Sequence, residues 1–201
     1  MKVDRKIAPV SKSLSDFSYL RAEKYCLDNS IPLYFINQSE QEIVKVEFMF
    51  EAGSAFQHKP LVASSVANLL KEGTTQHTAK QLADLIENQG VFLETECAAD
   101  TASIAFYSLT KNLTTVLPLI KEILFEAVLS QKEVDNYLQN KKQKFLVNNE
   151  KVDFLAKNKF IPFLFGEKHT YNAHIESKNF EEIRRDDLLD FYHKRFVKRS
   201  Y

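Results

Sequence analysis

The sequence has no tryptophan, only four glycines and two cysteines, and no excess of either charge. Lysine plus arginine and aspartate plus glutamate stand at 27 each. That balance gives no reason to expect a nucleic acid, another polyanion or a strongly charged substrate. No low-complexity segment or internal repeat is present, and no Gly-x-Ser-x-Gly elbow exposes a serine nucleophile. No apolar run approaches the length of a membrane span. The first ten residues, Met1 to Val10, contain no apolar core of signal-peptide length. The expected location is therefore cytoplasmic, with no membrane partner; a periplasmic chain whose leader has been removed is the alternative. Cys26 and Cys97 are expected as two buried free thiols in a reducing compartment, with a single bridge as the alternative.

What is present suffices for one sizeable domain with a core. Residues 1–24 are polar and irregular and read as an arm laid over the domain. Around the turn residues Asp28-Asn29-Ser30, the runs Tyr25-Cys26-Leu27 and Pro32 to Ile36 read as a hairpin. Ile43 to Phe50 is the strongest strand, with Val44, Val46, Phe48 and Phe50 on one face and Lys45 and Glu47 on the other. Leu61 to Lys71 reads as a helix, with Pro60 in its first turn and Gly73 at its stop. Thr78 caps a second helix through Asn88, which Gly90 ends. Val91 to Cys97 and Thr101 to Leu109 are a strand pair. Helices follow from Lys111 to Ala127, with Pro118 expected to kink or break the first, from Ser130 onward, and from Asp153 to Phe165. A last helix is capped by Asp186. The order predicts an α+β fold: a mainly antiparallel sheet of about five to six strands, packed on one side by helices. Residues 25–201 form one domain.

The stretch Ala52 to Thr75 organises the rest. An apolar strand ends in Ala-Gly-Ser, a loop leads into a helix ending in Gly-Thr, and a second helix runs into Asn88-Gln89-Gly90. A strand pair containing Ala99-Asp100-Thr101, then Phe163-Leu164-Phe165-Gly166 and Asp186 to Tyr192, complete an ordered set over residues 25–196. This set resembles the N-terminal part of a subunit of the pitrilysin and insulinase family of zinc metallopeptidases, in the branch of the mitochondrial processing peptidases and their bacterial relatives.

In active members the helix carries His-x-x-Glu-His, in which two histidines bind zinc and the glutamate is general base. Counted back from Gly73-Thr74, those positions are Ser64, Ala67 and Asn68. The third ligand should come from a later helix, where Lys141, Lys142 and Lys144 stand instead of an acid. Where active members carry Asn-Ala on the substrate-pairing edge strand, this chain has Glu94-Thr95. The resemblance therefore implies no catalytic residue, no metal and no cofactor in this chain. Zinc is expected only in a partner, and peptide pairing is expected at Glu94 and Thr95 through backbone addition.

Other candidates are weaker. His58 and His77 flank the helix and read as surface-loop histidines, and His169 and His174 lack acidic or cysteine partners at metal spacing. Ser64-Ser65 has no base nearby in sequence, so small residues packing a helix on a sheet are the expectation. The lysine cluster reads as a solvated helix face. The function expected is a zinc-free subunit that pairs with a zinc-bearing sister to enclose peptides. The alternative is a structural protein that uses the fold for assembly alone. In the family, an Arg/Tyr pair in a second domain contacts substrate. The chain is expected to be a piece about half that length, stopping before the last strand of its first domain.

Overall fold

The computed structural model describes residues 19–37, 41–172 and 174–197. The expected arm over residues 1–24 lies largely outside them, as do Lys198 and Arg199. The chain divides into two compact units, residues 1–41 and 42–201.

The first unit holds an antiparallel hairpin of β1 (Glu23–Cys26) and β2 (Pro32–Phe35), in the register Glu23 to Phe35 and Cys26 to Pro32. Its turn places Ser30 at positive φ, and the Leu27 carbonyl accepts from the Ser30 N–H. Every residue of both strands is exposed. Cys26 is thus an exposed free thiol, not the buried one expected, because the two-stranded ribbon has no covered face.

The second unit carries the core. β3 (Ile43–Phe50), β4 (Phe92–Cys97) and β5 (Ala102–Leu109) form an antiparallel sheet in the order β3-β5-β4. The alternation expected in β3 is present: Val44, Val46, Phe48 and Phe50 are covered and the residues between them exposed. The α+β class and the antiparallel pairing stand, with the five strands shared between a three-stranded sheet and the separate hairpin.

Helix α1 (Val62–Leu69) lies at the centre, against β4, β5, and two helices introduced below, α4 and α7. Six of its eight residues are buried. Its start departs from expectation. Pro60 precedes the helix, and Leu61 is the N-cap with φ 75°. A leucine held there costs about 1–2 kcal/mol, which burial of its side chain, about 1.5–3 kcal/mol, offsets. Leu61 offers no capping oxygen, so the Gln57 Oε1 accepts from the Ala63 N–H at 3.1 Å. Gly53, in the approach loop, meets the β4–β5 turn so closely that a Cβ would stand 2.1 Å from the Ala99 carbonyl oxygen. Only glycine permits that approach.

α2 (Ala79–Asn88) opens with the capping box of Thr78 and Gln81. α3 (Leu113–Phe125) runs unbroken through Pro118. Thr114, whose carbonyl loses its partner there, is exposed, so solvent replaces the missing N–H. α4 (Gln131–Asn148) is capped by Ser130, α5 (Val152–Phe165) follows, and α6 (Asn179–Glu182) is one turn. α7 (Arg185–Tyr192) continues into a π-helical turn, His193–Val197. Its N-cap is Arg184, not Asp186: the Asp187 carboxylate reaches back to accept from the Arg184 N–H at 2.8 Å. The α3 terminus is closed from a distance. The Tyr192 hydroxyl donates to the Leu124 carbonyl at 3.0 Å and accepts from the Ala127 N–H at 3.2 Å.

Candidate functional site

Two pairs of residues, each one helical turn apart, face each other across the α1–α4 contact. Ser64 and Asn68 come from α1, and Tyr137 and Lys141 from α4. Lys141 lies on the apolar stripe of α4, in the series Val134, Tyr137, Leu138, Lys141 and Phe145, so helical periodicity turns it inward. Thr95 and Cys97, alternate residues of β4, approach from the same side of the sheet, with Thr95 against Asn68 and Cys97 near Lys141.

The Lys141 ammonium donates to the Ser64 Oγ at 2.7 Å and to the Tyr137 hydroxyl at 2.7 Å. It stands 5.0 Å from the centre of the Tyr137 ring. The Tyr137 hydroxyl donates to the Ser64 carbonyl at 3.3 Å, and the Ser64 Oγ donates to the Leu61 carbonyl at 3.2 Å. Asn68 Nδ2 donates to the Ser64 carbonyl at 2.7 Å, while its Oδ1 accepts from the Thr95 hydroxyl at 3.1 Å. Ser65 is wholly buried, and its hydroxyl has no hydrogen-bond partner among the described residues. It lies near the Tyr137 hydroxyl and opposes, without overcoming, the upward push of burial on that group.

Burial sets the electrostatics. It pushes the Lys141 ammonium down to about 8, with Cys97 opposing weakly. It pushes the Tyr137 hydroxyl up to about 12 and the Cys97 thiol up from its ordinary value. Lys141 forms no ion pair with any described carboxylate. The site is therefore one half-buried cation held by neutral hydroxyls.

This donor set does not fit a zinc ion. Zinc takes thiolate, imidazole and carboxylate ligands. Here Ser64 and Asn68 are neutral oxygen donors already engaged, Cys97 is held in its thiol form, and an ammonium occupies their junction. Ala67 is buried in the core and carries no proton acceptor. Among the described residues no group of three or more His, Cys, Asp or Glu is placed to hold a metal. Of the three lysines, Lys142 instead pairs with Glu181 at 2.8 Å, and Lys144 is exposed.

Glu94 and Thr95 lie on β4, at one edge of the three-stranded sheet, and point to opposite faces. Glu94 accepts from the Tyr107 hydroxyl at 2.9 Å on the outer face. Thr95 joins the site. His58 and His77 lie in loops, but each meets a carboxylate distant in sequence. His58 Nε2 stands 3.0 Å from Asp187 Oδ1, and His77 Nδ1 stands 2.8 Å from Glu122 Oε1. Glu122 is buried and also accepts from Thr74. Burial acts against ionisation of Asp187, yet bonds from Lys59, His58 and the Arg184 N–H hold its carboxyl down at about 2.

Sequence reasoning missed Tyr137, Cys97 and Ser65 as members of the site. The α4 stripe was the available signal for Tyr137 and Lys141; nothing local marks Cys97.

No protein-family model matches the sequence, and no curated protein matches it. Solved structures do. A peptidase M16 inactive domain from Pseudomonas fluorescens superposes with TM-score 0.78 at 20% identity, covering 86% of this chain and 43% of that one. The periplasmic protease PqqL from Escherichia coli gives 0.75 at 16% identity, covering 86% and 20%. The ferredoxin protease FusC, in complex with Arabidopsis ferredoxin, gives 0.69 at 16% identity, covering 96% and 23%. The fold is thus the one these peptidase structures share, as the pitrilysin resemblance implied. This chain spans less than half the length of each.

Proposed function

We propose that this chain is a zinc-free, non-catalytic member of the pitrilysin-type peptidases, which pairs with a zinc-bearing sister to enclose peptides. The observation that carries the reading is Lys141. In a peptidase fold, at the helix where the resemblance places the first metal ligand, its ammonium sits 2.7 Å from the Ser64 Oγ. A fixed cation there repels a divalent ion, and among the described residues no carboxylate bonds to the site to activate water. The likeness to a structure described as an inactive M16 domain supports the same reading.

In this reading β4 keeps the peptide-binding role of an edge strand, so an extended peptide adds alongside Glu94 and Thr95 by backbone hydrogen bonds. Zinc and hydrolysis belong to the sister. The compartment is cytoplasmic, where the thiols of Cys26 and Cys97 stay reduced. No helix among the described residues is long and apolar enough to cross a membrane.

A second reading, assembly without proteolysis, draws on α5, none of whose residues is buried. Phe163 is 87% and Phe160 57% exposed, a surface suited to a protein partner.

One experiment separates the two. The chain is purified alone and together with a protein of the same fold that carries His-x-x-Glu-His, and zinc content and cleavage of a quenched fluorescent peptide are measured. The first reading expects cleavage by the pair beyond that of the sister alone. Stable association without any gain in cleavage favours the second. Stoichiometric zinc or cleavage by this chain alone contradicts both.

A further inference from the structure

The Lys141 ammonium is a mostly buried cation whose described partners are two neutral hydroxyls. Such a charge lacks the counter-ion that normally compensates burial. An ammonium carries three donors, and Ser64 and Tyr137 accept two of them. Its hydrogen-bonding partners add no negative charge; the Glu96 carboxylate, next in sequence to Cys97 and on the other face of β4, acts on that thiol. From α1 come Ser64, Ser65 and Asn68, from β4 come Thr95 and the un-ionised Cys97 thiol, and from α4 comes Tyr137 in its phenol form. The Ser65 hydroxyl beside Tyr137 is buried and lacks a partner of its own. The cluster therefore has net positive charge, spare donors and no described carboxylate bonded to Lys141, and it adjoins an edge strand.

We propose that the Ser64–Tyr137–Lys141 cluster is a carboxylate-binding site that anchors a peptide laid along β4 by one acidic group. The Lys141 ammonium supplies the charge-assisted hydrogen bond, and the Ser64 hydroxyl, free to rotate away from the Leu61 carbonyl, supplies a second donor. The carboxylate is either the peptide's C-terminus or an Asp or Glu side chain, since both present the same oxygens. The inference rests on reading β4 as the peptide-pairing edge, and it gives that edge a specificity: a cation that recognises an anion takes the place of a metal that would polarise a carbonyl.

The test uses acetate and a set of extended peptides on the purified chain. Acetate is titrated while the amide resonances of α1 and α4 are followed by NMR. Peptide affinities are compared with a free or amidated C-terminus, and with an internal Glu or Gln. Expected are acetate-dependent shifts at Ser64 and Lys141 that vanish in Lys141→Met, and a loss of about tenfold or more when the critical carboxyl becomes an amide. The peptide arm that shows the loss identifies which carboxyl is read. Ser64→Ala, a smaller change to the fold, is expected to lose part of the same discrimination. If acetate leaves those resonances unmoved, or if acid and amide peptides bind alike, the inference is overturned, and the edge-strand reading stands wherever the peptides still bind. If acetate binds and no peptide does, the carboxylate site stands and the edge-strand reading falls.

Discussion

Helices α1 and α5 are both rich in apolar residues, yet they end in opposite environments. α1 buries six of its eight residues, including Val62, Val66 and Leu69, none of which exposes any surface. α5 buries none of its fourteen. The difference lies in arrangement. In α1 small residues, Ala63, Ser65 and Ala67, let strands and helices close in on every side. In α5 Leu155, Phe160, Phe163 and Phe165 are spread around the axis and interleaved with Lys157 and Lys159, and Phe154, half-buried against Phe145, is its contact with the core. Apolar content alone does not place a helix. It also does not assign chemistry: α1 stands where the resemblance implies a metal-binding helix, while its polar residues serve packing and a lysine.

The comparison breaks most clearly in the core. Leu69→Ala is expected to destabilise the chain by about 2–5 kcal/mol in urea denaturation, the range for a buried leucine truncated to alanine. A loss under about 1 kcal/mol would mean that α1 is not the centre of the core.

Lys141→Met is expected to act in the opposite direction. The folded-state pKa of Lys141, about 8, lies below the ordinary value of 10.5, so the folded chain binds a proton less readily than the unfolded one. Below pH 8 the buried ammonium is a cost of a few kcal/mol, and stability rises as pH climbs from 8 toward 10.5. Cys97 and Tyr137, whose pKa values are raised, oppose this increasingly as pH approaches and passes their ordinary values of 9.0 and 10.0, where their unfolded forms are half ionised. The rise is therefore read most cleanly between pH 8 and 9. Thermal melts across that range should show it in the wild type and not in Lys141→Met, which is also the more stable at pH 7. Equal melting temperatures and parallel pH profiles would remove the buried-cation account.

A smaller effect is expected at α7. Asp187→Asn weakens the bonds to Lys59 and His58 and should cost about 1–2 kcal/mol. Because the folded-state pKa, about 2, lies below 3.8, this contribution is complete above pH 4 and lost as pH falls toward 2. Acid denaturation of the variant should be less steep in that window.

Phe163→Ala in α5 is expected to change stability by less than about 0.5 kcal/mol in the isolated chain, as for surface substitutions generally. If it weakens association with a partner while leaving the melt unchanged, the contrast between the two helices becomes a division between scaffold and docking surface. A destabilisation of core size would show that α5 is packed in solution.

Much of the fold was legible because its signals are local. Alternation in Ile43 to Phe50 set β3 to the residue, and Thr78 and Ser130 marked helix starts through their own side chains. The signals that failed depend on distant groups. Pro60 suited a first helical turn, but burial of Leu61 moved the start to Val62. Asp186 suited a cap, but the Asp187 carboxylate did the capping from inside the helix. At the site, the positions Ser64, Ala67 and Asn68 could be found by counting from Gly73. The cation beside Ser64 could not, since Lys141 is 77 residues away and becomes a neighbour only when α4 packs on α1. A cluster of three lysines on a polar stretch looked solvated; only the stripe through Val134, Leu138 and Phe145 distinguishes Lys141 from Lys142 and Lys144.

The most direct test of the central claim, that a lysine stands where a peptidase of this fold would hold its metal, is equilibrium dialysis of the purified chain against zinc at neutral pH, with bound metal quantified by mass spectrometry. The account predicts no stoichiometric zinc and no change when Ser64→Ala or Lys141→Met is dialysed alongside. One zinc per chain, reduced by Ser64→Ala, would contradict it.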